Sequence, residues 1–183
     1  MSTSRPLLSA GPGLNLLLER WQVGSRRIPL ELRFDSALVP ALAEAEVVGE
    51  AELVGEADLT GKDIVVNLTL KVTTREICAR TLDEFEQPLE APILLLLRKY
   101  NNIHEVEWED ETEDEADTLH VKVPEQLREL DIAEIARQAV ELERPLQPIK
   151  PGAPLPEGVL PDDVPVEKPL DPRWDALRGL SGN

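Results

Sequence analysis

The chain has 183 residues, 42% of them apolar, which is enough for one sizeable core or for a core with tails. Only 3% are aromatic, so the interior must be built from Leu, Val, Ile and Ala, and no cleft lined with stacked rings is expected. With 36 acids against 19 bases the net charge is −17, a surface that bare nucleic acid repels, because affinity for phosphates comes largely from Lys and Arg.

Residues 1–13 carry little periodic apolar content and read as a flexible tail. Strands are expected over residues 14–21 and 28–34. In the second, Ile28, Leu30, Leu32 and Phe34 point one way and Glu31 and Arg33 the other. The Ala- and Leu-rich residues 36–46 suggest a short helix in spite of Pro40.

The clearest pattern runs from residue 47 to residue 98. Val47, Ala51, Leu53, Ala57 and Leu59 share one parity with Gly49 and Gly55, while Glu50, Glu52, Glu56 and Asp58 take the other. After residues 60–63 the alternation resumes with Ile64, Val66, Leu68, Leu70 and Val72 inward, and Asn67, Thr69, Lys71 and Thr73 outward. This predicts a long antiparallel hairpin with one solvated face. Phe85, Leu89, Ala91, Ile93, Leu95 and Leu97 supply a third strand. Pro88 and Pro92 cannot donate to a ladder, so part of that strand must lie at an edge or bulge.

Residues 105–117 hold nine acids in thirteen positions, a composition that predicts a solvated loop, with Trp108 unusual within it. A short strand is expected over residues 119–123. Residues 130–144 make the best helix. Asp131 and Glu134 have capping-box spacing, Ile132, Ile135, Ala136, Ala139 and Leu142 form an apolar stripe, and Arg144 suits the negative end of the dipole. That stripe is the natural cover for the sheet.

Nine prolines between residues 145 and 172 exclude helix and sheet interior, leaving an extended segment over 145–170. Asp171 as cap, Pro172 at the first helical position and Gly179 near the end then mark a short helix over 171–180. Trp174 and Leu177 would share a face of it. A helix so short needs something to dock on. The fold class expected is therefore α+β. One antiparallel sheet of long strands lies under one main helix, in a core of residues 14–144 flanked by the tail and the Pro-rich segment.

Chemistry-bearing groups are sparse. His104 and His120 have no Ser or Cys spaced as a nucleophilic triad needs, and the glycines at 11 and 13 lack the lysine of a phosphate loop. The acidic run lacks the fixed spacing of a calcium loop, and Cys78 is the only cysteine, so no internal disulfide or thiolate cluster is available. Neither catalysis, a bound metal nor a cofactor is expected. No apolar run approaches the roughly 18 residues of a membrane span and the N-terminus lacks a signal-like apolar segment, so the expected location is the cytoplasm. The charge is uneven. Arg5, Arg20, Arg26, Arg27 and Arg33 oppose only Glu19 and Glu31 in the first 33 residues, leaving −20 on the rest. That basic end suits a phosphate backbone or the chain's own acids.

At Cys78 a pattern emerges. Cys78-Ala79-Arg80-Thr81-Leu82, after a long hairpin, resembles the C-x-R-C-L motif of the YceD family, the large ribosomal RNA subunit accumulation proteins. The acidic run, then Asp131 to Leu142, then Pro145 and Pro148, then Asp171-Pro172-Arg173 with Leu177 follow in the family's order, so the resemblance covers roughly residues 45–180. Two departures stand out. Thr81 replaces the second cysteine, and Lys150 stands where many members begin a second cysteine pair, so the metal site read into four-cysteine members is not expected here.

The resemblance implies a role in synthesis, processing or accumulation of large-subunit ribosomal RNA, with no catalytic reaction. It marks Cys78, Arg80, Leu82, Asp171, Pro172 and Arg173 as shared structural or contact residues. An anionic body suits a basic protein partner, such as a ribosomal protein or processing factor, contacted through Trp108, Glu109, Asp110, Glu111 and Trp174. The alternative is direct RNA binding by Arg20, Arg26, Arg27 and Arg33 with Lys71, Arg75, Arg80, Arg98 and Lys99 at the sheet.

Overall fold

The alternating run folds into three consecutive long strands: β4 (Val47–Thr60), β5 (Asp63–Ile77) and β6 (Glu84–Tyr100). The computed structural model describes residues 7–18, 27–60, 63–109 and 118–154. β3 (Ile28–Asp35) joins the free side of β4, with Leu30 facing Gly55 and Phe34 facing Ala51. Every strand from β3 to β6 is antiparallel to its neighbour. Inward residues are buried as the alternation requires: Leu53, Val66, Leu68, Leu70, Leu95 and Leu97 are 0% exposed. Gly55 is required where β4 passes β5, because a Cβ there would lie 2.0 Å from the Asn67 carbonyl oxygen. A bulge between Val48 and Glu52 is accommodated by Gly49 at φ 72°.

The expected fold class needs correction. The described chain is mostly β and holds two sheets, and the larger is mixed rather than antiparallel. β7 (Glu107–Glu109) and β8 (Leu119–Pro124) complete it in the order β3-β4-β5-β6-β8-β7, with β8 parallel to the end of β6. The chain reverses once after Tyr100 to form β7 and again to form β8, which enters between β6 and β7. Local alternation carries no information about such an insertion. The second sheet consists of β1 (Leu8–Ala10), β2 (Leu14–Leu17) and β9 (Glu129–Asp131), all antiparallel. β2 falls within the strand expected over residues 14–21, whereas β1 and β9, of three residues each, are too short for a period of two to register. The expected tail therefore contains a strand, with Leu8 only 2% exposed, and part of the expected acidic loop is the edge strand β7.

Among the described residues the two expected helices form but are shorter than expected, and the helix expected over 171–180 lies outside those residues. Residues 36–46 yield a 3-10 turn, Ser36–Leu38, followed by α1 (Pro40–Glu44), in which Pro40 begins the helix instead of interrupting it. The main helix, α2 (Ala133–Glu143), starts later because Glu129–Asp131 is a strand. The capping box does not form. Asp131 Oδ1 accepts from Ala133 N at 2.9 Å and from Leu14 N at 3.0 Å, joining helix start to small sheet, while Glu134 is taken by Arg137 and Gln138. α2 buries Ala133, Ile135, Ala136 and Val140. Leu142, assigned to the stripe, is 84% exposed. The small sheet and both helices cover the apolar face of the large one in a single hydrophobic cluster, from Leu8 and Leu16 through Leu42 and Leu68 to Val140.

Among the described residues no helix is long and apolar enough to cross a membrane.

Candidate functional site

Three regions carry the residues singled out in the sequence. The first is the turn between β5 and β6. The inward face of β5 is apolar up to Val72, then continues with Thr74 and Glu76, both buried, before the chain turns at Cys78. Cys78 N donates to Asp83 O at 2.9 Å and Leu82 N to Cys78 O at 2.9 Å, closing a tight loop in which Leu82 has φ 61° and is 77% exposed. A leucine held in left-handed backbone and turned to solvent runs against both backbone sterics and hydrophobicity.

The chain after α2 returns to this turn as a strap over residues 144–154. Arg144 donates from Nε and Nη2 to the two oxygens of Glu76 at 2.9 and 3.1 Å, and Glu76 is buried. Ala79 N donates to Pro148 O at 2.8 Å, Lys150 N to Cys78 Sγ at 3.4 Å, and Arg80 to Ala153 O at 3.4 Å. The first ten residues of the expected Pro-rich segment thus lie against the body. Arg144 is spent on a buried carboxylate, not on the helix dipole.

Cys78 is fully buried. The Thr81 hydroxyl, followed by the N–H groups of Lys150, Thr81 and Arg80, overcomes the effect of burial and draws its thiol down to about 6. This donor set does not fit a structural metal. One sulfur is surrounded by N–H and O–H donors where zinc wants about four ligand atoms. The position of the missing cysteine, Thr81, instead supplies a proton donor to the sulfur, and the backbone of Lys150 supplies another. The turn and strap are joined by hydrogen bonds.

A cleft of about 570 Å³ beside the turn is lined by Glu46, Arg75, Glu76, Ile77, Glu84, Arg144 and Pro148. Cys78 does not form its wall, and the buried acid in it, Glu76, is bound on both oxygens by Arg144.

The second region is the solvated face of the large sheet. Register lays its charges in rows. Arg33, Glu52, Lys71 and Glu90 face one another across β3, β4, β5 and β6, with Arg33 2.6 Å and Lys71 3.9 Å from Glu52. A second row runs Asp63, Arg98, Lys122, Glu107 across β5, β6, β8 and β7. Arg98 donates twice to Asp63 at 2.7 Å, which holds that carboxyl below its usual range. Arg75 lies opposite Glu86. Of the cations named for direct RNA contact at the sheet, Lys71, Arg75 and Arg98 therefore each lie beside an acid. Lys99 is half-buried on β6, and Arg27 is exposed at φ 53° just before β3. Arg20 and Arg26 lie outside the described residues.

The third region is β7. Trp108 pairs with Val121 on the covered side of the sheet, at its far edge, and is 49% exposed. Glu107 faces Lys122 and Glu109 faces His120 in register. Asp110, Glu111, Asp171, Pro172, Arg173 and Trp174 lie outside the described residues. The structure unites Cys78, Arg80 and Leu82 in one turn and leaves Trp108 on a different strand pair. The sequence reasoning missed the Glu76–Arg144 pair. Its signal was an acid at an inward position of an alternating strand, and an arginine directly before Pro145.

Fold and site define an acidic, mostly β protein built around a cysteine-bearing hairpin turn and a strap that returns to it. The chain belongs to the YceD family: residues 66–181 match the family described as "Large ribosomal RNA subunit accumulation protein YceD". The match takes in β5 from Val66 onward, the cysteine turn, β6, β8 and α2, and begins after β3 and β4, later than residue 45, where the resemblance in sequence begins. The family's name ties this chain to accumulation of large-subunit ribosomal RNA, a role in ribosome biogenesis. No curated protein matches the chain, and no solved structure matches it.

Proposed function

We propose that the protein supports large-subunit ribosomal RNA in the cytoplasm by binding a basic protein, a ribosomal protein or a processing factor, and that it does so without catalysis. The observation that carries this reading is the row pattern on the open face. Arg33 and Lys71 share Glu52, Glu90 lies opposite Lys71, and Arg98 is held by Asp63, so each of these cations has an acid beside it before any phosphate approaches. Affinity for RNA requires cations that release counterions from the backbone, and paired ones contribute little. An excess of carboxylates favours encounter with a cationic partner and disfavours polyanions. Trp108, half-exposed on the acidic edge strand, supplies an aromatic anchor of the kind that dominates protein interfaces.

The test is affinity capture of the tagged chain from cell extract, with and without nuclease. Basic protein partners retained after RNA digestion are the expected result. Loss of every partner on digestion, with binding that weakens steeply in salt and on replacing Arg26, Arg27 or Lys71, would establish direct RNA binding instead.

A further inference from the structure

The large sheet is open on one side. β8 pairs only with residues 95–100 of β6, so residues 84–94 have β5 on one flank and, among the described residues, no strand on the other. Beside that edge lies a cleft of about 600 Å³ walled by Pro92, Ile93 and Leu94 of β6 and by Ile135, Ala139 and Leu142 of α2. Leu142 stands at this cleft 84% exposed. A free edge ordinarily accepts another strand, but Pro88 and Pro92 remove two N–H donors from this one. An occupant must be anchored by side chains, as a helix is in a groove, with apolar residues at i and i+3.

We propose that the occupant is residues 171–180 of this same chain. Trp174, Leu177 and Leu180 recur there at intervals of three, which places them on one side of a helical turn. Asp171 and Pro172 carry the start signals of such a turn, and its brevity requires a dock. Its charges, Asp171, Arg173, Asp175 and Arg178, cancel, so the acidic body does not repel it, and the arginines suit Glu143 on the cleft wall.

The reach is sufficient. The described chain ends at Pro154, beside Ala153, which is bound by Arg80 at the cysteine turn. Asn67, on the cleft wall, is eleven residues along β5 and its turn from Cys78, or about 36 Å at a strand's rise. The twenty residues from Pro154 to Trp174 span up to about 66 Å. Docking would cover Leu142, fill the cleft with an indole and close the open edge of β6. The clamp does not depend on what the acidic face binds.

The test uses the full chain with Trp21→Phe and Trp108→Phe, leaving Trp174 as the only indole. Its emission is expected to be blue-shifted, and acrylamide to quench it several-fold less than in urea. Leu142→Glu, at an exposed position, and independently Leu177→Glu, should raise quenching to the urea value with the circular dichroism of the sheet unchanged. Leu82→Glu, at the distant turn, should leave Trp174 protected. Free quenching in the parent chain, protection that survives Leu142→Glu, release by Leu82→Glu alone, or protection lost on dilution as for a second copy would each overturn the clamp.

Discussion

Cys78 is surrounded by groups that prefer it charged. The Thr81 hydroxyl and the Lys150 N–H place positive dipoles at the sulfur, and the thiol falls to about 6. A free thiol ionises near about 8.5. Between these values the unfolded chain binds the proton that the folded chain has released, so stability gained from the thiolate rises with pH and is lost as pH falls through about 6. The stability difference between the native chain and Cys78→Ala, measured by urea unfolding, should therefore widen from pH 6 towards pH 9. A flat difference would remove the thiolate from the account. Glu76 and Arg144 follow a different rule. A buried carboxylate held on both oxygens by one guanidinium depends on it, so Arg144→Ala should cost about 3 kcal/mol. Glu76→Leu combined with Arg144→Met should recover most of that loss, because no unpaired charge then remains.

At the scale of elements, Pro88 and Pro92 lie on the stretch of β6 that, among the described residues, has no second partner strand. They leave its edge unable to offer a continuous row of donors. Replacing both with Thr in the Leu177→Glu chain, whose C-terminal segment cannot cover the edge, should restore that row and produce concentration-dependent self-association, measured by light scattering; unchanged monodispersity would mean that the prolines do not guard the edge. The same elements show what the sequence could reveal. Strands of fourteen to seventeen residues carry enough alternation to declare length, pairing and buried face, so β4, β5 and β6 were legible from Val47 to Leu97. β2 lies within the strand expected over residues 14–21, but β1 and β9 were not legible, since Leu8–Ala10 offers a single buried leucine as its pattern. β8 was expected as a strand, but its insertion between β6 and β7 depends on a long-range register. Leu142 fitted a helical stripe by spacing and still projects into solvent, because the sheet beneath it ends at the open side of β6. Of the candidate site, Cys78, Arg80 and Leu82 are singled out by motif, and the structure places them in one turn. The bonds that tie Ala79 to Pro148, Cys78 to Lys150 and Arg80 to Ala153 join residues about seventy apart and leave no local trace.

The whole molecule combines an open face whose cations lie beside acids, an acidic edge strand and a turn braced by its own downstream chain. Its net charge of −17 acts over a distance set by salt, about 8 Å at physiological ionic strength, so encounter is steered and final fit depends on contact. Trp108 is the contact that the account commits to, because it couples an aromatic surface to the strongest run of carboxylates. The most direct measurement places a photoreactive amino acid at position 108 and identifies what is captured on irradiation in living cells. Covalent adducts with a basic protein of the large-subunit assembly line, stable to nuclease, are the predicted result. Adducts with RNA alone, or none at all, would contradict the claim that this protein works by holding a cationic protein partner.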